Sequence, residues 1–288
     1  MRPLDHLVLP VADLITARQR LSALGFTVAP DGLHPFGTGN CCVYFADQTF
    51  LEPLAIIDRD GYENAAAAGN RFVLGDRTFR DARGAEGFSA VVYGTADAAS
   101  DHVAFAENGC SAGKMLDFSR SMVLPDGSSG VAGFRLAFAG ADPAGGVFAF
   151  TCQRINVPPN GRTTLTDHDN GVLGIREAVF VHRHPHDVSS FLRVVTCGDA
   201  TVSASGDGLS FASARLTVLT PAAFVDTYGL ELHEDAGLTG GLIMFSVASM
   251  VELDTILTRA GIGYFRRGPL RLVPPLAGQG VAFAFSEV

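Results

Sequence analysis

The stretch that decides the fold opens the chain, where residues 4–25 read LDHLVLPVADLITARQRLSALG. Residues 4–11 form an apolar run of strand-like composition, and Asp13 follows it as a candidate N-cap. The apolar residues that come next recur at helical spacing, at Leu14, Ala17, Leu21 and Leu24. Gly25 then supplies a C-terminal stop. The stretch therefore predicts one strand followed by one helix.

The same pattern returns three more times along the chain. Strand-like runs at 88–93, 178–181 and 242–247 are each followed by a candidate cap and, 11 or 12 residues after that cap, by a glycine. These pairs are Asp97 and Gly109, Asp187 and Gly198, and Ser249 and Gly261. Short β-like runs and turn residues follow each glycine, so every copy predicts a β-α-β-β-β module. We expect helices near residues 13–24, 97–108, 187–197 and 249–260.

One such module cannot cover both faces of its own small sheet, so modules should pair into curved sheets that enclose a cup. We therefore predict an α+β fold of four βαβββ modules that form two cups, with the helices outside. Residues 1–157 should form the first domain, and residues 58–86, which break the pattern, an insertion within it. Residues 172–288 should form the second domain, after a linker at 158–171 that opens with Pro-Pro-Asn-Gly.

Composition excludes several classes of function. Thirty acidic residues against 21 Lys and Arg give a formal charge of −9, which is unsuited to a nucleic-acid backbone. No apolar run reaches the length of a membrane span, and the first residues lack the pattern of a secretory signal. The five cysteines follow no metal-binding or redox spacing, which suits a reducing compartment. We expect a soluble, cytoplasmic protein that binds neither nucleic acid nor membrane.

Five short segments, in order along the chain, carry a resemblance to a known family. They are residues 4–9 (LDHLVL) with Asp13, His34-Pro35 followed by Gly37-Thr38-Gly39-Asn40, Phe50-Leu51-Glu52, residues 147–153 (VFAFTCQ) and residues 168–172 (HDNGV). They resemble the opening strand and helix, the H-P-x-G-T-x-N loop, the Y-L-E strand, the F-x-C-Q strand and the H-x-N-G-A segment of glyoxalase-like domain proteins. That family belongs to the vicinal oxygen chelate superfamily, and its fold is the paired-module cup.

The resemblance also implies a metal site in the amino-terminal cup. Its ligands would be His6 from the first strand, Glu52 from the last strand of the first module and Gln153 from the last strand of the second. The fourth family position falls on Ala90, seven residues before Asp97, and is empty. Imidazole and carboxylate ligands suit one divalent Zn, Fe, Mn or Ni ion. The implied catalytic residue is Glu52, as a proton shuttle whose pKa a dry cup would raise toward neutrality.

Each candidate residue also has a plain structural interpretation. His6 on an apolar strand is alternatively a core histidine, Gln153 a polar strand end, and Glu52 one half of an ion pair with an arginine. The candidate substrate-binding residues His34, Thr38 and Asn40 lie on a glycine-bearing loop, where Thr and Asn commonly bond their own backbone. The cluster His182, His184 and His186 is interpreted as a solvated strand end.

Two classes of function follow from these observations. The first is a metal-dependent lyase, isomerase or dioxygenase that acts on a small oxygenated metabolite in the amino-terminal cup. The alternative is a metal-free protein that binds or sequesters a small molecule, similar to bleomycin-resistance proteins, and the empty position at Ala90 favours it. The expected partner is a small-molecule ligand, with a homodimer as a further option.

Overall fold

The computed structural model describes residues 1–123, 129–140, 146–156, 162–232 and 237–288. Its strands form two sheets, one from residues 4–155 and one from residues 172–287. The predicted fold class is confirmed, because two curled sheets carry helices in the order that four βαβββ modules require. The domain boundaries stay a prediction, and residues 158–161 of the proposed linker lie outside the described part of the chain.

The first sheet contains nine strands and is accompanied by four helices. Its strands are β1 (Leu4–Pro10), β2 (Gly32–Leu33), β3 (Thr38–Asn40), β4 (Val43–Tyr44), β5 (Phe50–Ile56), β6 (Ala90–Gly94), β7 (Leu116–Val123), β8 (Ser129–Ala139) and β9 (Phe148–Ile155). The helices are α1 (Leu14–Ala23), α2 (Arg59–Ala67), α3 (Arg71–Arg83) and α4 (Ala98–Glu107). The strand order is β2-β3-β5-β1-β6-β9-β8-β7, and β4 also pairs with β5.

The second sheet contains eight strands and is accompanied by three helices. The strands are β10 (Val172–Val181), β11 (Thr201–Val202), β12 (Gly208–Phe211), β13 (Leu216–Leu219), β14 (Thr239–Val247), β15 (Phe265–Arg267), β16 (Leu270–Val273) and β17 (Ala282–Glu287). The helices are α5 (Ser189–Thr196), α6 (Pro221–Tyr228) and α7 (Met250–Arg259). The strand order, β11-β12-β13-β10-β14-β17-β16-β15, repeats the plan of the first sheet. No helix in the described residues is both long and apolar enough to span a membrane.

The four predicted helices are present as α1, α4, α5 and α7, and three of them begin as expected. The side chains of Asp13, Asp97 and Ser249 accept hydrogen bonds from backbone N–H groups of the first turn. The third helix differs. Asp187 caps nothing, because it lies within a short 3-10 turn, Pro185–Val188, that leads directly into α5. That helix also ends at Cys197, which adopts the left-handed conformation in place of the expected Gly198.

Helices that the repeat does not predict cover the inner face of each sheet. The insertion at 58–86 folds into α2 and α3, and Phe72 of α3 packs against the first sheet. In the second sheet, α6 presents Phe224 and Tyr228 to apolar residues on the face opposite α5 and α7. The two aromatic side chains belong to one buried apolar cluster with Val179, Val181, Leu242, Met244, Leu272, Ala282 and Ala284. The second cup is therefore filled by the chain itself.

The H-x-N-G segment ties the two halves together. The His168 ring accepts a hydrogen bond from Thr27 N–H (3.0 Å) and donates one to the Tyr44 carbonyl (3.0 Å). The Asn170 amide donates to the Leu24 carbonyl (2.9 Å), just after α1, and its oxygen accepts from Val172 N–H (3.1 Å) at the start of β10. These residues are buried, so this part of the family motif has a structural role.

We expect Asn170→Ala to lower the free energy of unfolding by about 2–6 kcal/mol, because it leaves two buried backbone groups without partners at roughly 1–3 kcal/mol each. Urea unfolding followed by circular dichroism measures the change. The matched control is Asn108→Ala, which removes an exposed side-chain bond to a helix carbonyl and should cost well under about 1 kcal/mol. Equal stabilities of the two variants would contradict the assigned role.

Candidate functional site

The concave face of the first sheet holds a cavity of about 50 Å³. Its wall is aromatic, formed by Phe36, Phe50, Phe72, Phe118, Phe134 and Phe150. Its polar lining consists of Asp5, His6, His34, Asn40, Glu52, Arg120 and Arg154. Leu136, Cys42 and Cys152 complete the lining. A cavity of this volume accommodates a few water molecules or a compact ligand of similar size.

Strand alternation on β1 places His6 in this cup. Leu7 and Leu9 belong to the core cluster that includes Leu21 and Leu24 of the α1 region, so they face the helix layer. His6 lies on the other face, where its ring stacks on Phe50 with centroids 4.3 Å apart. The alternative interpretation, a histidine between sheet and helix, is therefore wrong.

A β-bulge on β1 brings Asp5 into the same site. The pairing of β1 with β6 shifts between Leu4 and His6, so the consecutive side chains of Asp5 and His6 both reach the cup. Asp5 Oδ2 lies 2.7 Å from His6 Nδ1, and Asp5 Oδ1 accepts a hydrogen bond from Arg154 Nη2 at 2.5 Å. One carboxylate thus holds both the imidazole and a guanidinium.

Glu52 on β5 is the centre of the polar network. Its Oε2 lies 3.3 Å from His6 Nε2, and its Oε1 accepts a hydrogen bond from the Asn40 amide at 2.6 Å. His34 Nε2 approaches the same Oε1 at 3.6 Å, while His34 Nδ1 lies 2.9 Å from Thr38 Oγ1. The structure therefore brings His6, His34, Asn40 and Glu52 together in one cavity. Thr38 supports His34 and does not line the cavity itself.

Gln153 is not part of this group. Its side chain accepts a hydrogen bond from Ala98 N–H (3.1 Å) and donates one to the Ala96 carbonyl (2.7 Å) at the start of α4. Alternation along β9 explains this position, because Phe150, Cys152 and Arg154 face the cup and Gln153 faces the helix. The expectation that Gln153 lies beside His6 and Glu52 is wrong, because Gln153 is one residue away from the positions of β9 that face the cup.

The strand register identifies the counterparts of His6 and Glu52 in the second module. Strands β1 and β6 pair in antiparallel fashion, with His6 opposite Val92 and Val8 opposite Ala90. A local two-fold axis between the two strands therefore places Ala90 at the position equivalent to His6, and Val92 at the position equivalent to Val8. Val8 pairs with Glu52 on β5 as Val92 pairs with Phe150 on β9. The counterpart of Glu52 is therefore Phe150. Two of the four positions that converge on the cup are apolar.

The charges in the cup stabilise one another. Burial lowers the pKa of His6, but the hydrogen bonds and charges of Asp5 and Glu52 outweigh burial and raise the pKa above 6.5. Burial likewise raises the pKa of Glu52, yet the His6 hydrogen bond and charge, with the Asn40 amide, bring it to about 2. Glu52 is thus ionised, and the expectation of a carboxyl with a pKa near neutrality is wrong.

His34 differs from His6 in its charge state. Burial is the main cause that lowers the pKa of His34, to about 4, and the positive charges of Arg120 and His6 act in the same direction. The negative charge of Glu52 opposes this effect without reversing it. At neutral pH His34 is therefore uncharged, and its ring carries one donor and one acceptor nitrogen.

The side chains present do not fit a divalent metal ion held as the resemblance implies. His6 and Glu52 are as close as two ligands of one ion, and Asp5 on Nδ1 resembles the carboxylate that commonly orients a ligating histidine. However, Zn sites take three or four protein ligands, and two equivalent positions here are Ala90 and Phe150. No three His, Cys, Asp or Glu residues of the described chain are placed to hold a metal.

Most of the cavity-lining residues are not predicted from the sequence, and four of them show why. Asp5 is hidden because alternation places it opposite His6 unless a bulge intervenes. Arg154 could have been found, since it continues the alternating series of Phe150 and Cys152. Arg120 lies on a strand without a motif, and Phe72 comes from the insertion, whose path over the sheet no local pattern indicates.

Comparison with known proteins supports this architecture. A family model described as a glyoxalase-like domain matches residues 4–196, more than half of the chain. No curated protein shows significant sequence similarity to it. A hypothetical protein from Staphylococcus aureus has a similar structure, with a TM-score of 0.66, 10% identity and coverage of 100% of both chains.

Two enzymes of known structure share the fold. The Mn(II)-bound glyoxalase from Novosphingobium aromaticivorans has a TM-score of 0.57 and 10% identity, over 99% of this chain and 82% of its own. A catechol 2,3-dioxygenase has a TM-score of 0.57 and 9% identity, over 100% of this chain and 88% of its own. At such identities the likeness is one of fold. Together with the family match, it shows that the chain belongs to the glyoxalase-like domain family of the vicinal oxygen chelate superfamily.

Proposed function

We propose that the amino-terminal cup binds a small oxygenated metabolite through the protein's own side chains, without a metal ion held by the protein. The observation that carries this proposal is the buried network of His6, His34, Asn40 and Glu52, which lines a cavity and contains only two of the four ligands expected from the resemblance. Of the two functions that the sequence leaves open, the donor set supports the binding protein.

The network also argues against proton transfer by Glu52. A general base is most effective when its pKa lies near the working pH, and the pKa of Glu52 is about 2 because His6 and Asn40 stabilise the carboxylate. Both nitrogens of His6 face carboxylates, Asp5 on one side and Glu52 on the other. These groups form a fixed polar floor whose charges are already paired.

The cup selects a ligand by size and by polarity, because polar side chains form its floor and phenylalanine rings form its wall. Phenylalanine rings surround the cavity and favour a compact apolar or unsaturated body. The His34 ring and the Asn40 amide line the floor, where Asn40 Nδ2 donates to Glu52 at 2.6 Å and lies 3.4 Å from His34 Nε2, so a ligand oxygen there would compete for these donors. A volume of about 50 Å³ limits the ligand to a compact molecule.

Occupation of the cup can be tested with crotonamide, a planar oxygenated molecule of suitable size. Saturation-transfer NMR should detect its binding to the wild-type protein. Leu136→Phe adds volume at a cavity-lining position of β8 and should weaken binding at least tenfold, while Val131→Phe on the exposed part of the same strand should not. Equal binding by both variants would place the ligand elsewhere.

The metal content of the protein separates this proposal from the metal-dependent one. After dialysis against Zn(II) or Mn(II) and removal of free ions, elemental analysis should find well below one equivalent of metal per chain, because no three His, Cys, Asp or Glu side chains of the described residues are placed to hold an ion. His6→Ala should leave that content unchanged. One tightly held equivalent that His6→Ala removes would overturn the proposal and support metal-dependent chemistry.

The charge state of His34 predicts how stability depends on pH. The unfolded chain takes up a proton on this histidine near pH 6.5, whereas the folded protein does so only near pH 4. The stabilising effect is therefore complete above about pH 6.5 and decreases as the pH falls toward 4. Between pH 7 and 5 it should decrease by about 2 kcal/mol, at 1.36 kcal/mol per pKa unit.

Urea unfolding at the two pH values tests this expectation. His34→Gln should lose less stability than the wild type over this interval, and His186→Gln, a change at an exposed position, should behave like the wild type. An identical pH dependence of all three proteins would show that His34 is not held neutral in the fold.

A further inference from the structure

Arg120 adds a positive charge to the cup that its polar network does not use. The residue lies on β7, paired with Ala132 of β8, and its guanidinium lines the cavity. It stands over the Phe134 ring, with the guanidinium carbon 5.8 Å from the ring centroid. Its Nη1 atom lies beside Gly32, in the space that a Cβ atom there would enter. Arg120 thus lies at one side of the cavity.

The other cations of the cup each have a carboxylate partner. Arg154 pairs with Asp5 (2.5 Å), and His6 lies between Asp5 (2.7 Å) and Glu52 (3.3 Å). In the described part of the chain, Arg120 forms no ion pair with an Asp or Glu within 4.0 Å. The carboxylates of Asp5 and Glu52 are thus both engaged, Asp5 by Arg154 and His6 and Glu52 by His6, whereas Arg120 has no carboxylate partner among the described residues.

The surroundings of Arg120 strengthen its attraction for an anion. Phe118 and Phe134 flank this side of the cavity, and His34 next to it is uncharged. A partly buried cation beside apolar rings interacts with a nearby anion more strongly than one in open water does. A guanidinium also presents donors in the fork geometry that matches a carboxylate.

We propose that the ligand of the amino-terminal cup is a small carboxylate or similar oxyanion, whose negative end pairs with Arg120 while its body lies against the phenylalanine rings. This inference rests on the proposed binding function and narrows it from oxygenated metabolites in general to anionic ones. It assigns to Arg120 the role of the residue that selects the charge of the ligand.

A pair of isosteric probes tests the inference directly. Crotonate and crotonamide have nearly the same shape and differ in charge, so their dissociation constants, measured by NMR titration at low salt, isolate the contribution of the anion. Crotonate should bind at least tenfold more tightly. Added salt should weaken the binding of crotonate and leave that of crotonamide nearly unchanged.

Variants identify the residue responsible. Arg120→Met should remove the preference for crotonate while preserving crotonamide binding, and Arg120→Lys should retain part of the preference. Arg135→Met is the matched control, since Arg135 lies on β8 and pairs with Asp117 (2.6 Å) outside the cavity lining. Circular dichroism checks that each variant is folded.

In the wild type, bound crotonate should also raise the pKa of His34, measured by ring NMR, by placing a negative charge beside it.

Each outcome decides one of the two proposals. Equal affinities for crotonate and crotonamide, or a preference that survives in Arg120→Met, would overturn the anionic ligand and leave the binding function in place. Absence of binding by either probe would overturn the proposed function for ligands of this size, and the inference with it. If Arg135→Met also loses the preference for crotonate, the preference arises from the general charge of the protein and not from Arg120.

Discussion

The ion pair between His6 and Glu52, buried beneath an aromatic wall, is the constraint on which the rest of the site depends. Removing two charges from water costs several kcal/mol per ion unless geometry and further hydrogen bonds compensate. Asp5 and Asn40 provide these bonds, one on each side, and Arg154 neutralises Asp5. None of these groups could be removed alone without leaving a buried charge uncompensated. This requirement links three parts of the fold, which are the bulge in β1, the β3 strand that carries Asn40, and the last strand of the second module.

The same requirement explains why the two sheets, built on one plan, differ in what covers them. The inner face of the second sheet is largely apolar, and α6 fills it with Phe224 and Tyr228. Glu177 accepts a hydrogen bond from the Thr217 hydroxyl. An apolar helix pressed onto the floor of the first sheet would instead desolvate the His6 and Glu52 pair and its unused lone pairs. The insertion helices α2 and α3 accordingly contribute a wall, through Phe72, and leave a cavity.

Sequence patterns predicted the repeated modules because each module has a local signature, which consists of an apolar strand, a helix cap, apolar residues at helical spacing and a terminal glycine. Three of the four caps formed as expected, and the third module departed at both ends of its helix, where Pro185 begins a 3-10 turn and where Cys197 stands in place of the expected Gly198. The site was less accessible to such reasoning. His6, Glu52, His34 and Asn40 were identified because they lie on short motifs, whereas Gln153 required the register of β9, in which a single residue exchanges the two faces of a strand. Asp5 required a bulge, and Arg120 required the path of β7 across the cup.

The comparison between modules shows that equivalent positions of the cup carry different side chains. The resemblance implies a metal ion held by residues on the first and last strands of both modules. Here the first module keeps His6 and Glu52, and the second presents Ala90 and Phe150 at the equivalent positions. The His6 ring and the Glu52 carboxylate lie 3.3 Å apart and face each other. On the proposal made above, Arg120, which has no carboxylate partner among the described residues, determines the sign of the potential in the cavity. A cup for which the resemblance implies a cation would then, in this chain, take an anion.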